Sequence, residues 1–203
     1  DIFMTEFVNV DGLQSPGREK LLFKLRKTQK DAPIIAQIWG KTPENFYKTA
    51  KDLVKMGYDG VDLNFGCPAV AGSGSCIGMI NNRGLVAEII QATREGLIAA
   101  QVTHRPARTA GVASRQGRAM RELSSLPLSV KTRLGLSEID FSWHEFLLKQ
   151  KLNMLSVHGR TAKEMSKVPV HWDDVEHIRK LRDQISPTTL IVGNGDILSR
   201  QQG

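Results

Sequence analysis

The fold of this chain is decided by residues 61–68, Val61-Asp62-Leu63-Asn64-Phe65-Gly66-Cys67-Pro68, in which apolar and polar residues alternate up to a glycine and a cysteine. Alternation over this length is typical of a β-strand, and the Gly and Pro that follow indicate a turn. Barrel enzymes built on parallel strands carry their reactive side chains where the strands end. The stretch therefore predicts a buried strand that presents Cys67 at its C-terminal end.

Strands and helices alternate along the rest of the sequence. Residues 32–39 form an apolar run interrupted only by Gln37, which suits a strand covered on both faces in a parallel sheet. Thr42-Pro43-Glu44 is a helix start, with a capping hydroxyl, a proline at the first helical position and an early acid. Such alternation indicates a parallel βα architecture. Strands are predicted at 1–8, 32–39, 60–64, 128–133, 154–158 and 189–193, and helices at 18–27, 42–57, 82–96, 141–151 and 172–185.

Polar side chains stand at the C-terminal ends of successive predicted strands. In a closed (β/α)8 barrel these ends converge on one face, whereas an open doubly wound sheet would spread them along an edge. We therefore predict an α/β fold of the TIM (β/α)8 barrel type. The polar residues at these ends are Gln37, Asn64 with Cys67, Lys131 with Arg133, His158 with Arg160, and Asn194 with Asp196.

The composition is that of an ordinary globular protein with excess positive charge. Of the 203 residues, 40% are hydrophobic and 24% are charged, and the net charge of +7 favours an anionic partner, with nucleic acid as the first candidate. The apolar runs are too short to span a bilayer and there is no basic-then-apolar leader, so we expect no membrane partner and a cytoplasmic location. Because Cys67 and Cys76 lack CxxC spacing and nearby His ligands, we expect no metal and no disulfide framework.

Six segments of the chain carry a more specific signal. They are FMTEFVNVDGL at 3–13, AQIWG at 36–40, DGVDLNFGCP at 59–68, SVKTRLG at 129–135, VHGRTA at 157–162 and VGNGDI at 192–197. In this order they resemble the tRNA-dihydrouridine synthase family, flavoprotein oxidoreductases that reduce uridine in tRNA. The resemblance implies an FMN-binding barrel, NADPH as the reductant, and a following small helical domain that helps to hold tRNA.

The resemblance assigns the catalytic role to Cys67. Reduction of the C5–C6 bond of uracil requires a hydride at C6 from the reduced flavin and a proton at C5 from a positioned acid. A thiol suits the acid because free thiols, with pKa values of about 8.5, are mostly protonated near neutral pH. An isolated cysteine is as often a packed apolar group. Cys76, which lies among glycines and matches no family role, is interpreted as structural.

The same resemblance predicts flavin contacts by Lys131, Gln37, His158 and Asn64. A cation near the pyrimidine edge of the flavin would stabilise negative charge on the reduced ring. A polar residue that ends a strand often serves only to satisfy backbone groups, so this alternative stays open for Asn64. We assign Asn64 and Arg133 to substrate binding. Contacts to the ribityl or phosphate end are predicted for Arg160, Asn194, Gly195 and Asp196, with helix capping as an equal alternative for Asp196.

The chain also departs from the family pattern. Barrels of this type have about 250 residues, so we expect residues 1–203 to form a partial catalytic barrel, incomplete at both ends and without the C-terminal helical domain. The loop at 69–79 lacks the family's basic residue. Residues 97–125 form an inserted basic loop with five arginines, which we interpret as a solvated loop in preference to a tRNA contact.

Two other functions are compatible with the sequence. One is an FMN barrel oxidoreductase that acts on a free pyrimidine, and the other is a non-catalytic RNA-binding fragment without FMN. A flavin absorbance band would separate the fragment from the two enzymes. An NADPH-dependent assay on unmodified tRNA and on free uracil would then separate the enzymes from each other.

Overall fold

A single parallel sheet organises the protein in the computed structural model, which describes residues 2–103, 126–199 and 201. Its strand order is β1-β3-β4-β5-β6-β7, with β2 also paired to β3. Every pairing is parallel. The strands are β1 (Phe3–Met4), β2 (Val8–Asn9), β3 (Ile34–Trp39), β4 (Gly60–Phe65), β5 (Leu128–Arg133), β6 (Met154–His158) and β7 (Leu190–Asn194).

The strand order follows the chain order without a reversal from β3 to β7. A doubly wound sheet has a switch point at which the strand order turns back, and a (β/α)8 barrel does not. The prediction of an α/β fold of the barrel type is therefore confirmed. In the described part of the chain the sheet is open, with β1 and β7 at its two ends.

Helices connect the long strands, as the alternation predicted. They are α1 (Val10–Leu13), α2 (Pro43–Lys55), α3 (Arg83–Thr103), α4 (Phe141–Lys149) and α5 (Trp172–Ile185). The bounds of β5, β6 and α5 coincide with those predicted. Pro43 begins α2 as expected, although the Thr42 hydroxyl makes no capping hydrogen bond. Within the described ranges, no helix is long and apolar enough to cross a membrane.

The first thirty residues differ from the prediction. A single strand at 1–8 is replaced by β1 and β2, because the hydroxyl of Thr5, between them, accepts from the backbone N–H of Gln37 at 3.1 Å in place of a main-chain carbonyl. The predicted helix at 18–27 is instead two 3₁₀ helices, Arg18–Lys20 and Leu22–Leu25. Leu21, at their junction, has a φ of −107°, which does not continue an α-helix.

The sheet has two chemically different faces. One face is apolar and belongs to the same core as the buried side chains of the helices, among them Phe46 of α2 and Trp143 of α4. Its strand residues include Ile34, Ala36 and Ile38 of β3, Val61, Leu63 and Phe65 of β4, Leu128 and Val130 of β5, and Leu155 and Val157 of β6. Because side chains alternate along a strand, the residues between these face the other way, and most are polar.

The helix α3 extends to Thr103, whereas the sequence predicted an end at Gly96. Gly96 lies inside the helix because α2 passes very close to it. A β-carbon at Gly96 would lie 2.4 Å from the backbone oxygen of Tyr47 and 3.0 Å from Cβ of Ala50. The first seven residues of the predicted 97–125 loop are therefore helical, and residues 104–125 lie outside the described residues.

This close approach predicts that Gly96→Ala will destabilise the protein. The added methyl group meets backbone atoms, and overpacking of this kind costs about 1–3 kcal/mol. In the same helix, Gly84 has its nearest neighbouring atom, Asn82 Oδ1, 3.9 Å from the position of an added β-carbon. We expect Gly84→Ala to leave the free energy of unfolding unchanged or to raise it by up to about 1 kcal/mol. Urea unfolding of both variants measures the difference, and equal stabilities would contradict this packing.

Candidate active site

The predicted polar residues lie at the C-terminal ends of β3 to β7 or in the turns that follow them. They form two groups, with β5 between them. The first, here called the cysteine group, contains Gln37, Asn64 and Cys67. The second, here called the histidine group, contains His158, Arg160, Asn194, Gly195 and Asp196. Lys131 and Arg133 of β5 lie between the groups, since the register sets Lys131 beside Asn64 and Arg133 beside His158.

The cysteine group is connected by hydrogen bonds between side chains and backbone. Nδ2 of Asn64 donates to Oε1 of Gln37 at 2.9 Å. Oδ1 of Asn64 accepts from the backbone N–H groups of Gly66 and Cys67, both at 3.0 Å. A short amide that bonds to backbone groups two and three residues later fixes a turn. Asn64, which is 6% exposed, therefore determines the path of the chain into Cys67.

Gly66 allows this turn to lie against the neighbouring strand. A β-carbon at Gly66 would lie 3.2 Å from backbone atoms of Thr132 in β5. Cys67 itself is partly exposed and is not in a disulfide, whereas Cys76 is buried. Burial raises the pKa of the Cys76 thiol to about 12, so this thiol stays protonated.

Lys131 provides a partly buried cation at the centre of the site. Its Nζ donates at 3.3 Å to the backbone oxygen of Thr132, and it forms no ion pair within 4 Å in the described part of the chain. Burial and, to a smaller extent, the neighbouring Arg133 lower its pKa to about 8, while the Asp62 carboxylate acts in the opposite direction. Lys131 is thus still mostly protonated at pH 7.

Arg133 connects the turn after β4 to the loop after β6. Its Nε donates to the backbone oxygen of Gly66, and its Nη1 donates to those of Thr161 and Met165, each at 3.1 Å. Burial and the neighbouring Arg160 lower the pKa of this guanidinium. Its Nη2 makes no hydrogen bond to any described residue. The predicted contact with substrate therefore depends on Nη2.

The histidine group is organised around an ion pair between the buried Arg160 and the exposed Asp196. Arg160 is 3% exposed, and its guanidinium donates to both carboxylate oxygens of Asp196 and to the backbone oxygen of Val168. The pair lowers the pKa of Asp196. Most donors of Arg160 are therefore occupied within the protein, and the Asp196 carboxylate holds Arg160.

His158 lies between this ion pair and β5. Nε2 of His158 is 3.3 Å from Nη1 of Arg160, and a β-carbon at Gly195 would lie 3.3 Å from the same Nε2. Burial lowers the pKa of His158 to about 4, and the cations of Arg133, Lys131 and Arg160 act in the same direction. The imidazole is neutral at pH 7 and can accept a hydrogen bond.

Sequence reasoning missed Asp62 and Ser129, which lie beneath the cysteine group. Asp62 is fully buried; it accepts from Nε2 of Gln37 at 2.7 Å and from Oγ of Ser129 at 2.5 Å. Functional side chains were predicted at the strand ends, whereas Asp62 lies inside β4. The signal was present nevertheless, because Asp62 is two residues before Asn64 and two-residue spacing places both on one face of the strand.

The chain is similar to proteins of one family over its whole length. The sequence model of the dihydrouridine synthase family matches residues 1–104 and 108–203. The chain is 40% identical over 209 residues to a probable tRNA-dihydrouridine synthase 2 of Bacillus subtilis, and the match covers 100% of this chain and 55% of that protein. Probable tRNA-dihydrouridine synthases of Staphylococcus aureus and Staphylococcus epidermidis are 40% and 39% identical over 208 residues, with the same coverage.

The chain thus spans about half the length of the curated relatives that it matches. The family match nevertheless includes every strand of the sheet and every strand end described above. The chain belongs to the dihydrouridine synthase family.

Proposed function

We propose that the chain is the flavin-binding catalytic part of an oxidoreductase that reduces a uridine in tRNA to 5,6-dihydrouridine. The observation that carries the proposal is the cysteine group, in which Asn64 bonds to the backbone N–H of Cys67 and holds the thiol beside the polar strand ends. The substrate is inferred from the names of the relatives, which are probable tRNA-dihydrouridine synthases. The net charge of +7 favours an anionic partner such as tRNA.

The residues present fit FMN as the cofactor. Lys131 is a mostly protonated, partly buried cation without an ion pair to any described residue, and such a cation suits the electron-rich pyrimidine edge of a reduced flavin. The amide of Gln37 and the neutral imidazole of His158 offer hydrogen bonds at the same rim. When bound, FMN would supply the hydride that is added to C6 of uracil, with NADPH as the proposed source of electrons.

The phosphate end of the cofactor is proposed to lie near the turn after β7. Asn194 and Gly195 belong to this turn, and the bidentate pair of Arg160 with Asp196 fixes it. Arg160 and Asp196 would then act by holding Asn194 and Gly195 in place, since their own polar atoms are engaged with each other. Fixed backbone and amide donors favour an anion without reorganisation when it binds.

Cys67 is the proposed source of the proton at C5. The S–H bond breaks as the C5–H bond forms, so that with a hydride at C6 the double bond is saturated and a thiolate is left. The guanidinium of Arg133, which donates to the backbone oxygen of the adjacent Gly66, would stabilise this thiolate electrostatically. Asn64 would keep the sulfur on the side of the uracil ring where the proton is needed.

The proposal predicts a large loss of activity in Cys67→Ala. Removal of a positioned general acid typically lowers kcat by about 10²- to 10⁴-fold. Cys76→Ala serves as the matched control and should retain most of the parent activity, because the Cys76 thiol, although it lies beside Cys67, is buried and stays protonated. The measurement is NADPH-dependent formation of dihydrouridine in unmodified tRNA, with free uracil as the comparison substrate. Undiminished activity of Cys67→Ala would refute the assigned acid.

Flavin binding should depend on pH through Lys131. Because the pKa of Lys131 is about 8, its positive charge is present at pH 7 and is lost as the pH rises to 9. We expect the affinity of the parent chain for FMN to fall over this range. Lys131→Met should bind FMN about tenfold more weakly at pH 7, as expected for one lost charge-assisted hydrogen bond, and should show no such fall.

The matched control is Lys149→Met, since Lys149 is exposed on α4 and, among the described residues, pairs only with Glu145. It should bind FMN as the parent does at both pH values, as measured by flavin fluorescence. An affinity that is unchanged in Lys131→Met, or lowered equally in both variants, would exclude Lys131 from the cofactor site.

A further inference from the structure

The side-chain hydrogen bonds of the cysteine group lead to one acceptor, Asp62. The backbone N–H of Cys67 donates to Oδ1 of Asn64, and Nδ2 of Asn64 donates to Oε1 of Gln37. Nε2 of Gln37 then donates to Oδ2 of Asp62 at 2.7 Å, while Oγ of Ser129 donates to Oδ1 at 2.5 Å. Asp62 is therefore the last acceptor of a directed series of bonds that begins at Cys67.

The direction of this series follows from the chemistry of the carboxylate. An ionised carboxylate only accepts hydrogen bonds, so the side of the Gln37 amide that faces Asp62 must be its NH₂ group. Oε1 of Gln37 is then presented to Asn64, which must turn its own NH₂ group towards Gln37. Oδ1 of Asn64 is left to accept from the turn.

We propose that Asp62 is a positioning residue whose carboxylate sets the orientation of the Gln37 amide and, through Asn64, the conformation of the turn that carries Cys67. The consequence of this positioning role for catalysis rests on the proposed function, whereas the effect of Asp62 on the turn does not. An asparagine at position 62 would place its NH₂ group against the donors of Gln37 and Ser129. Alternatively, the Gln37 amide would rotate so that its oxygen faces residue 62.

The burial of Asp62 supports a role beyond packing. Asp62 is fully buried and its two hydrogen-bond partners are neutral side chains. A buried charge without a close ion pair is costly, and an apolar side chain would pack on this face at less cost. Burial raises the pKa of Asp62 to about 6, while the hydrogen bonds from Ser129 and Gln37 and the positive charge of Lys131 on β5 act in the opposite direction. Asp62 is thus mostly ionised at pH 7 and acts as an acceptor.

The test is native-state hydrogen exchange of the chain at pH 7, with Asp62→Asn as the variant. If Asp62 sets the turn, the amides of Gly66 and Cys67 exchange about fivefold faster in the variant, the factor that corresponds to one net hydrogen bond of about 1 kcal/mol. The amides of Leu155 and Val157 in β6 should be unaffected. In the reductase assay the same variant should lower kcat and leave KM for tRNA unchanged, because Asp62 is buried beneath the site.

The matched control is Asp59→Asn, which removes the charge just before β4. Asp59 accepts from the backbone N–H of Ile34 at 2.8 Å and has no bond to the series. If Asp62→Asn does not fold, Gln37→Met decides the question, because it interrupts the series at a partly exposed position and leaves Asp62 in place. It should accelerate exchange at Gly66 and Cys67 in the same way.

Unchanged exchange at Gly66 and Cys67 in the folded variant would overturn the proposal, as would equal acceleration in Asp59→Asn. Because hydrogen exchange needs neither flavin nor tRNA, this outcome is distinct from a failure of the proposed function. A chain that shows the expected exchange and no reductase activity would refute the proposed function and leave the positioning role of Asp62 intact.

Discussion

The parallel register of β3, β4 and β5 is the constraint on which the candidate site depends. It sets Gln37 beside Asp62, Asp62 beside Ser129, and Asn64 beside Lys131. Each of these neighbours is polar, and each lies on the face of the sheet opposite the apolar core. A shift of one residue in any strand would move its polar side chains into that core. The core therefore fixes the register, and the register assembles the site.

The two sides of the site differ in their electrostatics. The cysteine group contains neutral amides that end on the carboxylate of Asp62, and the histidine group contains the ion pair of Arg160 with Asp196. Between them, β5 contributes two cations, Lys131 and Arg133, that are not neutralised by an ion pair in the described part of the chain. Positive charge is thus concentrated in the middle of the rim. This distribution would favour the electron-rich ring of the proposed flavin at this part of the rim.

Much of the fold could be predicted from the sequence because the local patterns are strong. The strands β5 and β6 and the helix α5 have clear periodicity and end at the predicted residues. The helix α3 was predicted too short because Gly96 has the local appearance of a helix end, whereas its real partner is Tyr47 in α2. The ion pair of Arg160 with Asp196 joins residues 36 positions apart, and such contacts leave no mark on local periodicity.

The central claim concerns the two hydrogens that are added to the pyrimidine, and isotope labelling tests it most directly. The chain would be supplied with FMN, NADPH and unmodified tRNA in D₂O, and the dihydrouridine would be isolated and analysed by mass spectrometry and NMR. The account predicts that deuterium from solvent enters C5 through the exchangeable Cys67 thiol, and that C6 receives its hydrogen from N5 of the reduced flavin, whose N–H also exchanges with D₂O, so that the label at C5 is the informative one. Solvent deuterium absent from C5, or no dihydrouridine at all, would contradict it.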